Sequence, residues 1–273
     1  MINCLTINTH SWMEVNALKK LFDLAEHILA ENYDIVCLQE INQLIESETV
    51  DQSDLDYYHP IAESPEIHTD NYAFLLVNYL EKHGRYYHWS WAYNHIGYDI
   101  YQEGVAILSK TAIDVEAKLI SDTDDPGDYH TRRALIAQTF LKDKPITVVS
   151  LHMSWYEKGF DKEWRRLEKV LLPKKDNLIL LGDFNNPSGE EGYQMILKSP
   201  LELFDSHKVA RRVIGTHTIL ADIDGWEDSH QQLKVDYAFV SSTFRVISSE
   251  VTLDGGTEPI VSDHFGLKIK CDN

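Results

Sequence analysis

The sequence predicts a layered sandwich of α/β or α+β class. Uninterrupted apolar runs of strand length recur along the chain, stretches at helical spacing fall between them, and closely spaced strand pairs suggest hairpins rather than a purely parallel sheet. With 273 residues, 43% of them hydrophobic, a sizeable core is available. No repeat or break in composition divides the chain, so residues 1–273 are expected to form one domain.

Taken in order, Ile2 to Ile7 reads as a strand that ends in Asn8, Thr9 and His10. Ser11 and Glu14 have capping-box spacing, and Val15, Leu18, Phe22, Ala25 and Leu29 follow as a helical stripe. Tyr33 to Leu38 is a second strand, closed by Gln39 and Glu40. Ile41 to about Asp70 is polar and aperiodic, which reads as a long excursion near a site. A helix is expected over Asn71 to His83, ending at Gly84. Arg85 to His95 carries Tyr86, Tyr87, Trp89, Trp91 and Tyr93, either as a sheet face packed in the core or as a platform for flat ligands.

Gly104 to Ser109 and Ala112 to Leu119 read as strands joined tightly at Lys110 and Thr111, with an acidic loop over Asp122 to Asp128. Arg132 to Phe140 and Ile146 to Leu151 are further strands, and Phe160 to Leu172 is a helix stopped by Pro173. Beyond the strand at Leu178, Glu190 to Leu197 is a short helix and Pro200 to Gly225 is loop-rich. Val235 to Val240 and Phe244 to Val251 are expected as neighbouring strands, and Phe265 to Lys270 closes the chain.

The stretch Asn177 to Pro187, NLILLGDFNNP, holds the clearest chemistry. Leu178 to Leu181 suits a strand buried on both faces, and Gly182 reads as a turn that delivers Asp183 and Asn185 at its end. Hard divalent cations take oxygen ligands, and magnesium is usually held by one or two carboxylates plus substrate phosphate. Local backbone bonding by the same two side chains is the bland alternative. Asn8, Glu40, His152, Asp263 and His264 also stand at strand boundaries. Strands lying side by side in matching direction would bring these ends to one sheet edge. Hard oxygen ligands with two imidazoles are the parts needed for metal-assisted phosphoester hydrolysis, in which a cation offsets charge on the phosphoryl oxygen and an imidazole takes a proton from water.

Net charge is -19, from 25 basic and 44 acidic residues, with no dense basic run. Nucleic acid is therefore a poor default partner, because phosphate binding depends on a Lys/Arg footprint. Cys4, Cys37 and Cys271 are odd in number and unclustered, which argues for a reducing compartment rather than a disulfide framework. Met1 leads directly into a strand, and no run approaches a membrane span. A cytoplasmic location with no membrane partner is expected.

Seven motifs then follow one another in a telling order: TINTH around Asn8, LQE ending at Glu40, EGVAILS from Glu103, SLH ending at His152, GDFN at Asp183 to Asn185, VDY around Asp236, and SDH ending at His264. In this set the chain resembles the endonuclease/exonuclease/phosphatase superfamily of magnesium-dependent phosphoesterases, over nearly its whole length. The resemblance implies a four-layer sandwich with two mixed sheets between helices. It implies Glu40 as principal magnesium ligand supported by Asn8, with Asp263 beside the metal and Mn2+ as an alternative ion. Asp183 and Asn185 are implied to contact metal or phosphate and to orient the attacking water. His264 matches a catalytic base or phosphate-polarising histidine whose tautomer Asp236 fixes, and His152 matches a second histidine, paired with Glu103. Asp236 and Glu103 also admit plain structural roles. Arg132 or Arg133 is implied to hold a phosphate oxygen, with Arg132 favoured.

The superfamily leaves the substrate open. The turns THSW and HMSWY place Trp12, Trp155 and Tyr156 near the metal site and resemble a bacterial subgroup of small intracellular phosphatases that includes maltose 6'-phosphate phosphatase. That resemblance, the acidic charge and aromatic side chains such as Trp155, which bind the apolar faces of sugar rings, point to a phosphomonoesterase of carbohydrate metabolism acting on a phosphorylated sugar. A metal-dependent nuclease and a sphingomyelinase-like phosphodiesterase are the alternatives. A non-catalytic binding module is disfavoured because the catalytic motif positions are all filled.

Overall fold

Two mixed β-sheets pack face to face with helices on their outer faces in the computed structural model, which describes residues 1–141, 144–227 and 229–273. The first sheet runs in the order β10 (Arg212–Ile214), β12 (Arg245–Thr252), β13 (Gly266–Asp272), β1 (Ile2–Asn8), β2 (Ile35–Leu44), β4 (Tyr101–Ser109), β3 (His88–Gly97). The second runs β5 (Asp114–Leu119), β6 (Arg133–Leu141), β7 (Lys144–His152), β8 (Leu178–Asp183), β11 (Asp236–Ser241), β9 (Leu203–Asp205).

Apolar alternation explains the layering. Ile179 and Leu181 of β8 face the inter-sheet core with Cys37, Val105 and Val148, whereas Leu178 and Leu180 face helices α3 (Phe160–Leu171) and α4 (Glu191–Leu197). A strand covered on both faces has no polar side, hence the unbroken run. On the first sheet, Leu5, Ile7, Val36 and Leu38 pack outward against α1 (Ala17–Glu31) and α2 (Tyr72–Lys82). Cys4, Cys37 and Cys271 are buried and free.

Each sheet holds one parallel pair near its middle, and these pairs position the site. β1 lies parallel to β2 with Asn8 opposite Gln39, and β7 lies parallel to β8 with His152 opposite Asp183. Four strand ends therefore point the same way, and Gln39 donates to Ser150 Oγ across the sheets at 3.2 Å. Gly182 is not a turn. It stays in β8, where a Cβ would lie 2.0 Å from the Leu151 carbonyl oxygen, so only glycine admits this close strand pairing.

Other expectations need correction. Ser11 and Glu14 form no capping box: α1 begins at Ala17 behind Asn16, Ser11 accepts from the Asn42 amide, and Glu14 pairs with His10 and Lys20. Two apolar stripes run along α1, and Leu21, Leu24, Ala25 and Ile28 take the core while Leu18 and Phe22 stay exposed; Val15, exposed too, lies before the helix. β2 continues through Glu40 to Leu44. Residues 45–70 wrap the β3 edge, where Tyr58 bridges Trp89, instead of lining the site. Trp89 and Trp91 are buried in the core, so the aromatic face of β3 is packed rather than offered to a ligand, while its far end, His95, Ile96 and Gly97, lines the cavity described below. β4 and β5 belong to different sheets, as do β11 and β12, so neither pair consists of neighbours. The hairpin partner of β4 is β3.

Candidate active site

The converging strand ends line a cavity of about 370 Å³. Asn8 joins the two sheets there: its Nδ2 donates to Glu40 Oε1 at 2.8 Å and to Asp183 Oδ2 at 3.2 Å. Glu40 reaches this point because the register of β2 shifts between Leu38 and Ile41 and Glu40 takes a left-handed φ of 53°. Such a bulge re-aims one side chain at the cost of local strain, which is tolerated mainly where the surroundings hold it. Asn185 also has a positive φ, 50°. Its Nδ2 donates to the Met153 carbonyl and its Oδ1 accepts from Trp226 Nε1 at 3.2 Å.

Both predicted histidines reach Asp183. His152 Nε2 lies 3.7 Å and His264 Nε2 3.8 Å from Asp183 Oδ2. His264 Nδ1 lies 2.9 Å from Asp236 Oδ2, which orients the ring. Arg132 is buried, and its guanidinium approaches His152 Nδ1 at 3.4 Å. Arg133 turns away to Asp124 and to the Tyr93 and Asn94 carbonyls, which answers which arginine faces the cavity. Glu103 Oε1 is 4.0 Å from His152 Nδ1 but only 3.3 Å from His95 Nε2, so its closer partner is a histidine that sequence reasoning did not select. Asp263 lines the same cavity, with its Oδ2 3.7 Å from His10 Nδ1.

The electrostatics follow from burial. Desolvation, with Glu103 nearby, pushes the Glu40 carboxyl up to about 8, and desolvation with the Asp236 charge pushes Asp183 up to about 7. Burial opposes a charge on His264, but Asp236 and Asp183 outweigh it and hold its imidazole well above the ordinary range. Burial and the Arg132 charge keep His152 well below it.

Trp155 lines the cavity, 6.4 Å from Trp226 between ring centroids, with Lys158 Nζ 4.5 Å from its ring centroid. Tyr156 is exposed next to it. Trp12 does not flank the site: it packs edge-on to Tyr72, with its Nε1 on the Asp70 carbonyl. His10 shared the post-strand turn with Asn8, a signal that could have selected it. Trp226 had none, since its loop meets the cavity only through the fold, by the Tyr98 to Asp224 bond at 2.6 Å and by Asn185.

The donor set suits a divalent cation. Glu40 Oε2 is buried and has no hydrogen-bond partner among the described residues, and Glu40, Asp183 and Asp263 supply hard carboxylate oxygens at one cavity. Burial raises both Glu40 and Asp183, and a cation bound between them would favour their charged forms.

A layered sandwich with carboxylates, amides and imidazoles at the shared end of both sheets is the build of a phosphoester hydrolase. Residues 13–264 match the endonuclease/exonuclease/phosphatase family, and the chain belongs to it. Members of this family hydrolyse phosphoesters and generally depend on a divalent metal. A family protein from Leptotrichia buccalis C-1013-b is 27% identical over the whole of both chains, with a TM-score of 0.85. The mannosyl-6-phosphatase Bt3783 of Bacteroides thetaiotaomicron VPI-5482 is 16% identical over the whole of both, TM-score 0.69. The human Nocturnin catalytic domain is 17% identical, over 99% of this chain and 93% of its own, TM-score 0.67. The latter two likenesses speak to the fold alone. No curated protein matches the chain. Among the described residues, no helix is long and apolar enough to cross a membrane.

Proposed function

We propose that the protein is a magnesium-dependent phosphomonoesterase acting on a phosphorylated sugar, a small soluble substrate met in the cytoplasm, with Mn2+ as a substitute ion. The observation that carries this reading is the bridge from Asn8 to both Glu40 and Asp183, with two imidazoles within 4 Å of the same Asp183 oxygen. Glu40 and Asp263 would hold the metal with Asn8 in support, and the bound ion would supply positive charge at the phosphoryl oxygen.

Arg132 and His152 bind the phosphate, the first as a fixed cation and the second through Nε2, because its Nδ1 faces the guanidinium. Asp183 and Asn185 orient the attacking water, and Asp183 takes its proton as the new P–O bond forms. His264, steadied by Asp236 through Nδ1, directs Nε2 at a phosphoryl oxygen that gains charge. The bond to the sugar oxygen breaks, that oxygen takes a proton from solvent water at the mouth of the cavity, and Asp183 afterwards returns its own proton to solvent. Glu103 and Trp155 border the leaving group.

Three further facts support the sugar ester: the small cavity, Trp155 in its wall and the net charge of -19, which repels polyanions. One structural neighbour carries the name of a mannosyl-6-phosphatase. The test is phosphate release across sugar phosphates, nucleotides, phospholipid headgroups and plasmid DNA with added magnesium. Sugar monophosphates should lead; faster plasmid nicking or headgroup release would overturn the reading.

A further inference from the structure

Arg132 stands in the cavity wall without an acidic partner. It is 2% exposed, its Nε has no hydrogen-bond partner among the described residues, and its Nη1 lies 3.4 Å from His152 Nδ1. Among the described residues, no carboxylate oxygen comes within 4.0 Å of its guanidinium. Buried charges are normally paired, because burial strips them of hydration. The acid closest to filling that role is Glu103, itself 5% exposed, whose Oε1 lies 4.0 Å from the same His152 nitrogen. It is held elsewhere. Oε1 is 3.3 Å from His95 Nε2, and Oε2 packs against Gly97 so closely that a Cβ there would lie 2.8 Å from it. His95 is fixed in turn, because the Thr131 carbonyl lies 3.2 Å from Nδ1 and leaves Nε2 for the carboxylate. The register of β3 against β4 shifts between Tyr93 and His95, which sets His95 opposite Glu103.

We propose that His95 is a positioning residue for phosphate binding: it holds Glu103 away from Arg132, so that the guanidinium stays free for the phosphoryl group. The proposal rests on the phosphomonoesterase reading, in which Arg132 takes the phosphate. Burial opposes a charge on Glu103, but His95 outweighs it and, with the Arg132 charge, holds the carboxyl below its ordinary range. Glu103 is therefore a second anion at the phosphate's own cation. Turned towards Arg132, it would neutralise the guanidinium and repel the incoming phosphate. Glu103 and Arg132 flank one nitrogen of His152, so a carboxylate released by His95 has that guanidinium close by. The Thr131 carbonyl that orients His95 belongs to the residue before Arg132, so one side chain sets the places of both groups.

The test is competitive inhibition by inorganic phosphate, with KM and kcat for an aryl phosphate, on the magnesium-loaded enzyme. His95→Phe keeps a ring in place and frees Glu103. It should raise both the phosphate inhibition constant and KM by about tenfold, as expected when one charge-assisted bond to phosphate is lost. Adding Glu103→Gln removes the competing charge, and the double variant should recover most of the lost phosphate affinity. His95→Gln, whose amide can still donate to Glu103, should cost no more than about threefold. His95→Leu takes the place of the phenylalanine variant should that one fold poorly. A histidine needed only for structure would leave the double variant at least as weak as the single one. That outcome, or phosphate inhibition unchanged on replacing His95, overturns the role of His95 alone. A wild type that neither binds inorganic phosphate nor releases it from any monoester overturns the phosphomonoesterase reading as well.

Discussion

His264 and Asp236 meet through Nδ1 and Oδ2 at 2.9 Å, with the carboxylate wholly buried behind the ring. Only one orientation of the imidazole satisfies that contact, and it leaves Nε2 facing Asp183. Asp236→Asn keeps the shape and removes the charge that holds the ring in its cationic form. Turnover of an aryl phosphate should fall about 10²-fold or more, with the Michaelis constant little changed. Full turnover in the variant would reduce Asp236 to a structural acid.

Metal binding should be visible without any turnover. A ligand that binds only the folded chain adds roughly 2.7 kcal/mol at a hundred times its dissociation constant. Magnesium should therefore raise the melting temperature of the protein after chelator treatment, and Glu40→Gln should abolish most of the rise. An equal rise in the variant would remove Glu40 from the ligand set.

Trp155→Ala should raise the Michaelis constant for a sugar ester more than for a generic aryl phosphate. Steady-state kinetics on both substrates decide it, since equal effects would leave no case for stacking on the indole.

Lys234 is buried below the site, with Nζ 3.6 Å from the Tyr237 ring centroid and donating to the Asp236 carbonyl. Burial lowers it from 10.5 to about 8. Between those values the native lysine has lost its proton and the unfolded one still binds it, so stability rises with pH through that window. From pH 7 to 10.5 the wild type should gain up to roughly 3 kcal/mol relative to Lys234→Met. Chemical denaturation of both proteins across that range is the check, and parallel curves would contradict it.

Gly182→Ala should destabilise the protein by roughly 1–3 kcal/mol, because the added methyl meets the Leu151 carbonyl on the partner strand. Activity should fall with it, since Asp183 is the next residue. Unchanged melting and activity would show that the strands part at no cost.

Strand identity was legible in residues 178–181 because burial on both faces removes every polar position from the run, and in 2–7 and 265–270 because apolar residues still predominate around Asn3, Thr6, Lys268 and Lys270. Helix faces were less legible: α1 carries two apolar stripes, and only the sheet beneath it selects Leu21 and Leu24 over Leu18 and Phe22. Sheet membership was not legible at all, since Lys110 and Thr111 could equally have closed a hairpin or crossed between layers.

Which residue types stand at the strand boundaries, oxygen ligands and imidazoles, can be read from the chain alone, because these are local facts of composition and order. Tertiary structure alone decided which of them meet. Strand direction and register bring Asn8 to Glu40 and Asp183, turn Arg132 inward and Arg133 outward, and fold the Trp226 loop onto Asn185. Those contacts join residues up to 175 positions apart, and packing across two sheets, which no local pattern encodes, sets them.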